Sequence, residues 1–413
     1  MMRPPRSRRS ALLAAVVANL VPLVGIVFWE WSFAVLVLLY WIELGVLILF
    51  ASIRALFAQR PAEFPEQQLI YGAFHDKYGG LSLPKTDLEI QLQSLVVLIA
   101  VPVLGLLWLF IGGFVLLGVN ESATGGLARA EAPTLTVGIV GLLSSHLFST
   151  GEYVLDREYE DVNAQMVVQS AFWPLAVTGL AMVLGAGLVT ASESTVVLLV
   201  GIAGTKFLLD LVGVYRDRLR AFDESQSLDL GWAYDPPEKP SVDESFAEPF
   251  EVVRPTRRAV LASGGVRGLH ALPGLAFFAL FSAATAFFLA FGATEVGLVT
   301  GAMAGLLLCL MVAVGVVDHA IRYLSMEYRI GGSTTDSKYV DIVGYDRLLD
   351  EPSWRIRGEE RPDTDVERGR VDRFFGTETV VVESDDRTVR LAHIPDATVV
   401  TEDWGRASSA STR

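Results

Sequence analysis

Long apolar runs almost free of charge limit what this chain can fold into more than any motif does. They fall at about 11–29, 31–51, 92–117, 134–151, 167–190, 195–214, 271–291 and 295–317. Each is near twenty residues, enough for a helix rising about 1.5 Å per residue to cross a hydrocarbon layer of about 30 Å. Composition agrees, with 52% of the 413 residues hydrophobic and only 19% charged. The reading is a membrane α-helical bundle of about eight transmembrane helices. The first run follows MMRPPRSRRS in the manner of a secretory leader. A second apolar run lies close behind it with no small-residue cleavage site between, so it reads as a retained span.

The runs pair into hairpins with very short turns, WEWS, ASES and FGATE, while the other connections are longer and charged. The N-terminal tail, residues 52–91, 152–166, 215–270 and everything after 317 hold 31 of the 33 Lys and Arg. Of the remaining two, Arg129 falls on the opposite side and Lys206 inside a span. Positive residues stay inside during insertion, so both termini are expected in the cytoplasm of a multi-pass plasma-membrane protein. Trp29, Trp31, Trp108 and Trp173 sit near span ends, whereas Trp41 is too deep for an interfacial indole. Pro22, Pro102, Pro174 and Pro273 also lie near span ends and leave the middles unbroken.

Net charge is −14, and only five of the basic residues are Lys. Such a surface suits a protein of a salt-loving microbe, where hydrated acids maintain solubility, or it is an ordinary acidic surface. In either case no basic stripe is present to neutralise nucleic-acid phosphates. Cys309 is the only cysteine, so no disulfide, zinc knuckle or redox pair can form within the chain. GxSxG, Walker, HExxH and CxxC signatures are all missing, and no cofactor, metal or catalytic residue is assigned.

The polar segments divide the chain. Residues 1–220 form a six-helix transmembrane unit and 269–319 a two-helix hairpin. Between them, 221–268 reads as an acidic cytoplasmic linker containing DPPEKP, too poor in large aliphatics to fold alone. Residues 62–91 mix aromatics and charges around a GG turn and read as an interfacial segment. Asp318 and His319 read as a solvated boundary at the end of the last span. Residues 320–405 show period-two strands such as YVDIVGY, SWRIR, TVVVES and TVRLAHI, separated by turn signals, and 406–413 read as a disordered tail.

The order YRIG, DIVGYDRLLDEPSWRIR, VERGRVDRFFGTETVVVE and TVRLAHIPDA resembles the bacterial PH-like domain family, with Gly376 turning into a strand. That resemblance implies a small antiparallel β domain on the cytoplasmic side that holds protein partners or further copies of itself. The whole tail, residues 320–413, carries 14 basic against 19 acidic residues, which argues against phosphoinositide binding. ANLVPLVGIVFWEWSFAVLVLLYWIELG, SSHLFSTGEY and TKFLLDLVGVYRDR resemble a prokaryotic membrane family of unknown function over residues 10–220, a likeness that supplies no mechanism.

Ionisable groups at lipid depth are therefore read physically. Glu43 lies near mid-depth, where a charge costs roughly 2.5–3.5 kcal/mol on insertion scales. Lys206 and Asp210 are one turn apart, and His146 shares a polar face with Ser144, Ser145 and Ser149. Each has a plain role in helix packing or self-neutralisation. Together Glu43, His146, Lys206 and Asp210 form the candidate intramembrane polar cluster. Two functions follow: a membrane-anchored assembly or envelope-maintenance protein presenting its β domain to partners, or a transporter of a small solute or ion.

Overall fold

The computed structural model of the protein describes residues 33–85, 88–122, 132–192, 195–225, 234–243, 247–332, 340–360, 362–384 and 387–401. The expected first span, the WEWS turn with Trp29 and Trp31, and the expected tail 406–413 lie outside these residues. Two compact units emerge, Met1–Ala62 with Leu81–Glu238, and Glu63–Gly80 with Lys239–Arg413.

The first unit is helical: α1 (Phe33–Phe57), α2 (Leu92–Val97), α3 (Val101–Ser122), α4 (Ala132–Leu155), α5 (Ala164–Ser192), α6 (Thr195–Val214) and α7 (Arg216–Glu224). A small ribbon, β1 (Gly80–Ser82) with β2 (Glu89–Gln91), precedes α2. Helix α1 is central and packs on α3, α4 and α5. Asn163 caps α5, its side-chain oxygen accepting the Met166 N–H at 2.9 Å. Pro174 lies within α5 rather than near an end, and the helix continues through it.

Helices α1 and α3 meet through a reciprocal clasp. Trp41 Nε1 donates to the Trp108 carbonyl at 3.0 Å, and Trp108 Nε1 to the Trp41 carbonyl at 2.8 Å. The indoles stack at 4.4 Å. Each lies over the other helix's glycine: a Cβ on Gly45 would stand 2.7 Å from Trp108, and one on Gly112 2.5 Å from Trp41. Residue 41 therefore opposes 112 and 45 opposes 108, an antiparallel crossing. The depth of Trp41 has its explanation here, since both indole N–H groups find carbonyls away from water.

The second unit joins helices to sheets. It holds β3 (Ala247–Val253), α8 (Arg257–Leu269), α9 (Leu272–Ala290), α10 (Thr294–His319), β4 (Met326–Gly332), β5 (Val340–Asp346), β6 (Glu351–Ile356), β7 (Asp363–Glu367), α11 (Arg370–Phe375), β8 (Glu378–Glu383) and β9 (Thr388–Ile394). The strands make two antiparallel sheets, ordered β3-β4-β5-β6 and β7-β8-β9. Alternate residues Tyr328, Ile330, Ile342, Trp354, Ile356, Val380, Val382 and Leu391 turn inward to one shared core. Trp354 packs over Gly344, where any side chain would collide with the indole. Gly376 takes φ 67° and ends α11, the turn expected of it.

The segment 221–268 corrects the linker reading. Residues 216–224 are helical, 247–253 form an edge strand on β4, and 257–269 form α8. A stretch too polar for its own core can still fold by adding to an existing sheet edge and helix face. Helix α8 lies so close to α10 that a Cβ on Gly264 would stand 2.6 Å from the Gly315 carbonyl. Added Cβ atoms on Gly268 and Gly315 would collide outright with the facing backbone.

Among the described residues four segments are long and apolar enough to cross a membrane: Val35–Phe57, Leu92–Leu116, Ala164–Leu184 and Thr294–Leu324. The bent pair Arg257–Leu269 and Gly274–Ala290 makes a fifth if taken as one span. The runs 134–151 and 195–214 read from the sequence also fold as helices, in α4 and α6. In α4 glycines, serines and His146 dilute the apolar character.

Candidate functional site

The sequence spacing places Tyr40 and Glu43 on one face of α1, and Lys206 and Asp210 on one face of α6. The fold brings these faces together. Lys206 Nζ lies 3.1 Å from Glu43 Oε1 and 3.6 Å from Asp210 Oδ2. The same ammonium stands over the Tyr40 ring, 5.9 Å from its centroid. The Lys206 and Glu43 side chains are only 18% and 23% exposed. Tyr40 is 4% exposed, and its hydroxyl is buried without a hydrogen-bond partner. A lysine between two carboxylates satisfies the demand that a charge at low dielectric be paired.

His146 stands apart from this trio. Its ring stacks on Phe50 at 5.6 Å. Phe50 is two turns along α1 from Glu43, a rise of about 10 Å. Three of the four expected residues therefore meet directly, and the fourth joins an aromatic neighbour. The partner that sequence reasoning missed is Tyr40. Its signal was available in YWIE, a hydroxyl three residues before the carboxylate.

A second polar centre lies in the other unit. Asp318, expected at a solvated boundary, is 0% exposed. Arg322 Nε reaches it at 2.9 Å, Arg267 Nε at 3.4 Å and His319 Nδ1 at 3.5 Å, and the Ile70 N–H donates to it at 2.8 Å. Ile70 takes φ 67°, a strained value for a β-branched residue, and the hydrogen bond to Asp318 holds it there. Arg322 also donates to the carbonyls of Glu66 at 2.9 Å and Gln68 at 3.0 Å. Residues 63–80, expected at a membrane surface, are thereby built into the second unit.

The same segment supplies Lys77, buried against Asp346 in an ion pair. Burial alone would raise the Asp346 carboxyl, but Lys77 and the Leu348 N–H outweigh it and hold the group below the usual carboxylate range. Asp372 behaves alike. Burial pushes it up, and hydrogen bonds from His393 at 2.6 Å and the Thr377 hydroxyl at 2.8 Å bring it lower. Tyr78 is pushed up to about 12 by burial and by the charge of Asp76. Among the described residues no group of three or more His, Cys, Asp or Glu gathers as a metal site would require.

Apolar helices around a paired charge cluster, followed by antiparallel sheets, define the class as a helical membrane protein carrying a β module. The chain belongs to a family of unknown function (DUF6498), whose model matches residues 1–227. No curated protein and no solved structure matches the chain.

Proposed function

We propose that this is a membrane-anchored assembly or envelope-maintenance protein, built on eight spans with both termini cytoplasmic, whose PH-like β module binds a protein partner or a second copy of the chain. The supporting observation is the exposure of Leu348 and Phe374, each 82% exposed on a module with a well-filled core. Large apolar side chains held out in this way suit anchors for a partner. The test is affinity recovery and chemical cross-linking of the full chain in native-like salt, with Phe374→Ala and Leu348→Ala beside the wild type. Loss of a recovered partner or of the self-cross-link in the variants is expected. Identical recovery in all three would overturn the reading.

The trio Glu43–Lys206–Asp210 favours a second reading, a transporter of a small solute or ion. Buried ionisable groups facing a bundle interior commonly lie on such pathways. Flux into vesicles should then fall in Glu43→Gln while Phe374→Ala leaves it unchanged; flux equal in Glu43→Gln and wild type rejects it.

A further inference from the structure

The second unit contains a cleft of about 220 Å³ that neither reading above employs. Its walls come from the 66–77 segment, the end of α8, the residues after α10, and strands β4, β6 and β9. Lys77, Arg267, Arg322 and Arg390 line it together with two acids, Glu66 and Asp76, and Lys77 is already paired with the buried Asp346. The three arginines are the lining cations not committed to that buried pair. Arg267 and Arg322 share the single carboxylate of Asp318, so the three groups together keep one positive charge. Arg390 pairs with Glu367 in a contact about half exposed on both sides, which holds the guanidinium weakly.

Three arginines, Arg267, Arg322 and Arg390, line the same cleft as the phenol of Tyr323. Ser353 and Thr388 add hydroxyls, and Trp354 and Tyr328 add apolar wall. Guanidinium forks match phosphate oxygens in pairs, and hydroxyls complete the set of donors. Arg322 and Tyr323 lie at the end of the apolar segment Thr294–Leu324, where a spanning helix leaves the hydrocarbon for the headgroup layer. The volume is below the roughly 300–1,000 Å³ of pockets for drug-sized ligands, so a headgroup-sized anion fits it better than a large cofactor.

We propose that this cleft binds a phosphate-bearing anion, the phosphodiester of an acidic lipid headgroup or a small soluble phosphate ester. The full chain, purified in a neutral detergent, would be followed by thermal unfolding while phosphatidylglycerol, phosphatidylcholine, glycerol phosphate and inorganic phosphate are titrated separately. Saturable stabilisation by phosphatidylglycerol but not phosphatidylcholine supports the cleft with a lipid as source. Saturable stabilisation by the soluble phosphates supports it with a free ligand. Arg390→Gln removes a weakly held guanidinium and preserves the Asp318 network, so it should fold, and its titration midpoint should be about ten-fold higher. Arg267→Gln, which also disturbs Asp318, serves as the second variant. No preference for phosphatidylglycerol together with no response to phosphates overturns the proposal, as does Arg390→Gln titrating like the wild type.

Discussion

Lys206 is held by two carboxylates at once, so its loss and the loss of either partner are unequal events. Glu43→Gln leaves Lys206 paired with Asp210 and retains a hydrogen-bonding side chain. Lys206→Met leaves two like charges facing each other at low dielectric. Removing one partner of a buried pair costs about 3–5 kcal/mol. Lys206→Met should approach that figure and Glu43→Gln fall well short of it, measured by unfolding in nanodiscs; equal losses would mean that the trio is hydrated. In the β module, Asp346 and Asp372 have carboxyls held below their ordinary value. Their contribution to stability is fully present above the unfolded carboxylate value of about 3.9 and is lost as pH falls through the lower folded value. Fluorescence of the buried Trp354 should therefore stay native to below about pH 4. In Lys77→Met, where Asp346 loses its ammonium, the acid transition should move upward.

At the scale of elements, the α8–α10 crossing separates two glycines three residues apart on α8. An added Cβ on Gly268 collides with facing backbone, whereas one on Gly265 meets Val312 at 3.6 Å, an ordinary contact. Gly268→Ala should cost at least about 1–3 kcal/mol from overpacking. Gly265→Ala should be neutral or gain up to about 1 kcal/mol from helix propensity. Thermal unfolding of the two variants side by side decides the matter, and matched midpoints would reject the close crossing. Helices were legible because their apolar runs are long and uninterrupted. The strands YVDIVGY and TVRLAHI were legible from alternation. Strand β3 was not, since AEPFEVV carries two acids and a proline without strict alternation and acquires its structure from β4 rather than from its own pattern. Asp318 read as solvated because its burial depends on residues 66–70, some 250 positions away in the chain and invisible to local periodicity.

For the whole molecule, two of the three members of the charge trio could be paired from sequence, because Lys206 and Asp210 are neighbours on one helix. Glu43 joins them only through the packing of α1 and α6. The two units also divide the chain in a way that composition hides, because Glu63–Gly80 folds with the C-terminal half although it precedes most of the helices. A topology test follows for the proposed eight spans. Cys309 is the sole cysteine, so after Cys309→Ser a single cysteine placed at Ser409 reports the side of the C-terminus. A membrane-impermeant maleimide should label it only in inverted vesicles; labelling in intact cells would reverse the orientation.

Strand β3 is made on the ribosome before α8, α9 and α10, yet its partner β4 emerges only after all three. A gene fragment begun at residue 320 would thus yield β4 with a bare flank, ready to stick to its neighbours. Anyone wishing to study the sandwich in water should splice Ala247–Val253 back on, ahead of Met326.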